Sequence, residues 1–389
     1  MGRKHPLRVV VLSSRDEPEY REVAGIVGEA LAEPPLRDPD AAVEDRTSRP
    51  SFEPMEAADA LVEEADAVVA LDAEALDRAR EHGNALCVAM LPWLDGVWGG
   101  DLRDADLVLV AHRAVVDDLE ARGVAPERVV VVGAPLPPAY APPTDRALAR
   151  GRAGIPEGHA VLVAPTDALE SEDLGKVLTQ LSLVRTPLMV LFDVGDDALA
   201  SDTLRKLAPA CGVPSRMFGA GPQRGEYFAL ADAVIARVRA PEAVRGLAVG
   251  APLLLIDAAR RTGPSVARAL MDAGAASAIE SIATLAVDVE RAITPDRLAA
   301  GQAAAVAASI RAQPSVIFEA IRLAVMARTR RRRRRGLPLG LESLYEPGEE
   351  RLDLSQSGST RPPPKTPGET DEERVERELA ALKSRLGKA

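Results

Sequence analysis

Short, continuously apolar runs alternate along this chain with longer stretches in which apolar residues recur every three or four positions. That is the pattern of parallel strands buried on both faces beneath covering helices. The first part of the chain predicts strands at Leu7–Ser13, Ala67–Leu71, Ala85–Leu91, Leu107–Ala111 and Val129–Val132. Helices are predicted at Tyr20–Ala32, Ala73–Glu81 and Ala114–Arg122. Glu33–Pro54, with five prolines and many charges, reads as a loop. The proline-rich Ala134–Thr144 (APLPPAYAPPT) marks a domain boundary, after which the alternation restarts. Strands follow at Ala160–Ala164, Leu188–Phe192, Ala233–Ala236 and Leu253–Ile256, with helices at Asp173–Leu183, Ala198–Ala210, Pro241–Val249 and Ser265–Ala273. Beyond Thr294 the chain is alanine-rich and helical, divided by Pro314 and ending in the arginine run Arg328–Arg335.

These boundaries give an α/β chain with an N-terminal domain at 1–140 and a second at 141–329. A basic and then disordered linker is expected at 330–370, where Pro, Gly, Ser and charge dominate. In Asp371–Leu386, Val375, Leu379, Leu382 and Leu386 recur at helical spacing, so 371–389 is expected to form a short amphipathic helix on a tether.

Composition narrows the function. Hydrophobic residues are 47% of the 389 but aromatics only 3%, so the cores are aliphatic. A formal net charge of -11 argues against general nucleic-acid binding. Cys87 and Cys211 are too few and too far apart for a metal cluster or a disulfide framework, and no metal is expected. No apolar run reaches the roughly 18 residues that span a bilayer, and Met1–Leu12 has no signal core. A cytoplasmic protein is expected, with Arg330–Arg335 a candidate contact to the inner face of a membrane.

Three stretches together resemble bacterial GT-B glycosyltransferases, in particular the diacylglycerol glycosyltransferase and MurG-like group. In Pro92–Pro135, an Asp95…Trp98 turn precedes ADLVLVAHRAVVDDLEARGVAPERVVVVGAP. Arg152–Val163 (RAGIPEGHAVLV) is similar to the lead-in of the family's second domain. Tyr227–Ala276 contains ADAVIARVRAPEAVRGLAVGAPLLLIDA and then ALMDAGAA, similar to its aspartate-bearing strand, donor-site helix and closing turn. The order and spacing cover roughly residues 7–325.

The resemblance implies two Rossmann-like domains facing across a cleft, with a nucleotide-sugar donor such as a UDP-hexose on the second and the acceptor on the first. Donor-side candidates are then Arg237, Arg239, Glu242 and Arg245, and cleft candidates for catalysis are Asp95 and His112. Several positions depart from the family pattern. Its first glycine-rich turn is here Ser13-Ser14-Arg15-Asp16-Glu17-Pro18-Glu19-Tyr20, whose acids would repel a diphosphate. The second domain's first turn, Pro165-Thr166-Asp167-Ala168, has no glycine, and Asp193-Val194-Gly195-Asp196-Asp197 is acidic. The family's donor-site glutamate falls on Arg245 and its glycine on Arg239, with Glu242 one helical turn before Arg245.

Two readings follow. One is a hexosyltransferase acting from a nucleotide sugar on a lipid or other hydroxyl acceptor. The other is a non-catalytic pseudoenzyme of the same architecture, serving as a binding or scaffolding module through its tail. Under either, Arg330–Arg335 would meet an anionic membrane surface or an acidic partner, and 371–389 a protein partner.

Overall fold

The computed structural model describes residues 8–14, 18–32, 62–63, 65–81, 85–94, 100–169, 173–221, 223–256, 265–308, 311–312 and 314–334. The loop Glu33–Pro54, the linker after Arg334 and the helix expected at 371–389 lie outside the described residues, as does Asp95.

The first sheet holds β1 (Val9–Leu12), β2 (Ala67–Ala70), β3 (Leu86–Leu91), β4 (Leu107–Val110) and β5 (Val129–Val131), all parallel and in chain order. Every residue of β2, β3 and β4 is buried, as unbroken Val, Ala and Leu runs require when both faces are covered. The covering helices are α1 (Pro18–Ala32), α2 (Ala73–Glu81) and α3 (Ala114–Glu120).

A short helix, α4 (Arg146–Arg152), leads into the second sheet. Its strands are β6 (Ala160–Pro165), β7 (Leu188–Gly195), β8 (Ser215–Gly219), β9 (Ala233–Ala236), β10 (Leu253–Leu255) and β11 (Ala276–Ala278). They run parallel in the order β11-β10-β9-β6-β7-β8. Alternate residues go to opposite faces. Val161, Val163, Met189 and Leu191 join a core continuous with the first domain, and Leu162, Ala164, Val190 and Phe192 join a separate outer core. Its helices are α5 (Leu174–Leu181), α6 (Ala198–Ala210), α7 (Arg224–Ala229), α8 (Pro241–Ala248), α9 (Ser265–Asp272) and α10 (Leu285–Ile293). Two more follow, α11 (Pro295–Ala308) and α12 (Pro314–Arg334), and α12 returns to pack on α1, β3 and β4 of the first domain. Among the described residues, no helix is long and apolar enough to cross a membrane.

The expected strands and long helices are present. The elements not expected are β8 (SRMFG), an edge strand with mostly exposed side chains, three-residue β11, six-residue α7 with its glycine, seven-residue α4, and α10, which buries Leu285, Val289 and Ile293.

The two chain crossings between the domains run side by side. The Ala312 amide donates to the Ala134 carbonyl at 3.0 Å, and Arg311 Nη2 donates to the Pro137 carbonyl at 3.1 Å. Gly133 makes this approach feasible: its φ is +88°, and a Cβ there would lie 2.5 Å from the Ala312 nitrogen. Beneath them, buried Asp232 ties four segments together. It accepts from the Val161 amide (2.9 Å), pairs with Arg150 (2.7 Å) and Arg146 (3.8 Å), and lies 3.4 Å from Gln302 Nε2. Removing this carboxylate leaves two largely buried guanidinium groups without a counter-charge there, held by the Val249 and Leu230 carbonyls. Asp232→Ala is expected to lower unfolding free energy by about 3–5 kcal/mol, read as a fall in the denaturant midpoint. A loss under about 1 kcal/mol would show the contacts to be dispensable.

Candidate functional site

In open parallel sheets, ligands bind beyond the carboxyl ends of strands where the strand order reverses. In the second sheet that point lies between β6 and β9. The turns that meet there, and the β1–α1 turn opposite, therefore decide what the cleft can hold.

The β1 exit is wound onto a carboxylate. Asp72, at the end of β2, accepts from Ser13 Oγ (2.8 Å), the Ser14 amide (2.7 Å), Ser14 Oγ (2.8 Å) and the Ala75 amide (2.9 Å). Burial opposes its charge, but the bonds from Ala75, Ser14 and Ser13 outweigh that and hold its pKa below the usual value. These donors are committed to a protein carboxylate and are not offered to a phosphate. The β6 exit closes similarly. Thr166 Oγ1 donates to the Asp193 carbonyl at 3.2 Å, and Arg237 Nε reaches across the switch point to the Ala168 carbonyl at 3.2 Å.

Between the two sheets lies a cluster of buried charge. Arg245 of α8 is 1% exposed and Glu242, one turn earlier, 2%. Arg224, opening α7, and Asp193, near the end of β7, are also buried. Arg224 Nε donates to Asp193 Oδ2 at 2.6 Å, and its Nη2 lies 3.7 Å from Glu242 Oε1. Arg245 Nη1 is 3.5 Å from Glu242 Oε1. From the other domain, α1 brings Glu19 to 3.4 Å from Arg224 and 4.0 Å from Arg245, and Glu22 to 3.5 Å from Arg245. The Arg245 guanidinium also sits 5.6 Å from the ring centre of Tyr140, which packs edge-on to Phe228.

Two guanidinium groups thus face four carboxylates. Burial pushes the Glu242 carboxyl up, only partly offset by Arg245 and Arg224. Burial likewise pushes the Tyr140 hydroxyl up to about 12. Burial works against the charge of Arg224, but the Asp193 carboxylate beside it raises its pKa on balance. Among the described residues, the other carboxylate oxygen of Glu242 and Nε of Arg245 are buried without hydrogen-bond partners. The start of α8 is spoken for too: Pro241 has no N–H, and the Glu242 carboxylate takes a bond from its own backbone N–H.

The structure brings together Glu242 and Arg245 of the expected donor-side set, with Arg237 on the neighbouring turn, while Arg239 is exposed at the edge. His112 lies elsewhere in the cleft. Its Nδ1 accepts from the Ala114 amide at 3.1 Å, and the ring also bonds the backbone of Ala308, so it straps the two domains. Burial lowers its pKa, opposed in part by the bond to Ala308. The cavity beside it, lined by Leu94, Ala134, Val244, Leu247 and others, measures about 10 Å³. No group of three or more metal-ligating side chains occurs among the described residues. Arg224, Asp193, Glu19 and Glu22 were not among the site candidates. Their signal was reciprocal: acids stand where the family has phosphate-binding turns, and an arginine stands where it has a glutamate.

No protein-family profile and no curated protein sequence matches the chain. Solved structures do. HepE from Anabaena, crystallised with UDP, superposes with a TM-score of 0.56 at 14% identity, over 82% of this chain and 100% of that one. MurG from Acinetobacter baumannii gives 0.53 at 17%, over 82% and 99%. WaaG, a glycosyltransferase of lipopolysaccharide biosynthesis, gives 0.51 at 17%, over 81% and 99%. The fold is that of the GT-B glycosyltransferases.

The raised pKa of Glu242 carries a sign. Its stabilising contribution is complete below its ordinary value near 4.5 and is lost as pH rises through the higher folded value. His112 contributes oppositely, but equally in wild type and in a Glu242 variant. Glu242→Gln is therefore expected to gain in thermal midpoint relative to wild type as pH is raised from about 4.5 to 8. No relative gain over that range would mean that Arg245 and Arg224 hold the Glu242 charge as firmly as water does.

Proposed function

We propose that this chain is a non-catalytic protein of GT-B architecture that works by binding partners. The observation that carries this reading is the buried cluster of Arg224, Arg245, Asp193, Glu242, Glu19 and Glu22 at the strand ends where a donor diphosphate would have to lie. A sugar nucleotide brings further negative charge to a place where carboxylates already outnumber guanidinium groups. Catalysis of hexose transfer further requires donors aimed at the leaving phosphate. Here the Ser14 and Ala75 amides and the start of α8 are already bonded to carboxylates.

The partner contacts then fall to the far end of the molecule. Arg328 of α12 donates to the Ala85 carbonyl at 2.6 Å and pairs with Asp106 at 2.5 Å, just ahead of β3 and β4. These are the amino ends of the strands, opposite the cleft, and the helix continues to Arg334. In our reading Arg330–Arg335 meets anionic headgroups at the inner face of a membrane, or an acidic partner with the same charge, and 371–389 docks a protein.

Thermal unfolding with UDP, UDP-glucose and UDP-N-acetylglucosamine tests the first part. No rise in midpoint is expected at millimolar ligand, whereas a rise that Arg245→Ala abolishes would establish a working donor site and overturn the proposal. For the second part, replacing all of Arg330–Arg335 by glutamine is expected to weaken co-sedimentation with phosphatidylglycerol vesicles by about a hundredfold or more at low salt. Equal sedimentation of the two proteins would remove the membrane from the list of partners.

A further inference from the structure

We propose that Glu19 and Glu22 act as an internal clamp, holding the two domains closed with no small molecule between them. In two-domain proteins with a central cleft, closure ordinarily follows from a ligand that contacts both sides. Here the bridging groups belong to the chain. The proposal rests on the reading of the cleft as closed to a sugar nucleotide.

The second domain provides a carboxylate for each of its guanidinium groups without help: Asp193 for Arg224 and Glu242 for Arg245. The carboxylates of α1 are therefore not needed to make those arginines tolerable in the interior. Among the described residues, what they add are ion contacts from α1 to the second domain: Glu19 to both arginines, Glu22 to Arg245. Their side chains keep 24% and 34% exposure, so they sit at the rim and reach inward, the placement of a latch rather than of a core pair. The other flank is apolar, with α3 against α9, where Val115, Leu119, Val266, Ala267 and Leu270 are buried. Behind both runs the paired crossing at Ala134 and Ala312, about which the domains would turn. Closure on the α1 flank is thus electrostatic, and its loss should free α7 and α8 without unfolding either sheet.

Hydrogen exchange of the full chain, followed by mass spectrometry, tests the clamp. In a Glu19→Gln/Glu22→Gln double variant, amides of 18–32 and 224–248 are expected to exchange on the order of tenfold faster than in wild type, with β3 and β7 unchanged. Should the double variant unfold, Glu22→Gln alone is read the same way, with about a threefold effect expected. Unchanged exchange in 224–248 would overturn the clamp and assign closure to the apolar flank. That result leaves the binding-protein reading intact, because only UDP binding by the wild type overturns it.

Discussion

Two arginines in a nearly dry interior set the terms for everything around them. A guanidinium cannot shed its proton, so Arg245, with 1% of its surface exposed, must be met by negative charge or not be buried at all. That requirement is met within the second domain by Glu242 one turn away and, for Arg224, by Asp193; Glu19 and Glu22 of α1 add contacts from the other domain. A buried pair of this kind adds little net stability, since desolvation cancels most of the attraction. It does fix geometry: once the arginines are present, arrangements that separate α1 from α8 lose carboxylate contacts to a buried cation.

The same cluster decides what the cleft can do. Phosphate sites in α/β folds work through uncommitted backbone donors and close approach at glycine. Among the described residues, Asp72 takes the Ser13 and Ser14 donors of the β1 exit, the β6 exit has Thr166 and Asp167 and no glycine, and Glu242 takes the first donor of α8. A fold shared with HepE and MurG does not restore those groups, because function resides in the site and not in the sheet order.

Much of this architecture was legible in the sequence, for reasons that also explain what was not. Runs such as LVLV at β4 and AVIA at β9 are unambiguous because both sheet faces are covered. The edge strand β8 escaped because one side has no neighbour and its side chains face water. In the site, Glu242 and Arg245 stood out by their place on one helix. Their partners did not, because Glu19 and Arg224 are 205 positions apart and only the fold brings them together. The acids after β1 were visible as obstacles to a diphosphate. That two of that helix's acids serve as counter-ions for arginines on the opposite domain is a fact of three dimensions.

The position of the arginine run follows from the same topology. All five strands of the first sheet point their carboxyl ends to the cleft, so the amino ends of β3 and β4 form the opposite pole. Helix α12 leaves the domain there, fastened by Arg328 to Ala85 and Asp106. The carbonyls at the helix end favour cations on the last turn, and that lowers the cost of gathering so much like charge. The Arg328 anchor and the acid–arginine cluster of the cleft thus lie at opposite ends of the first sheet's strands.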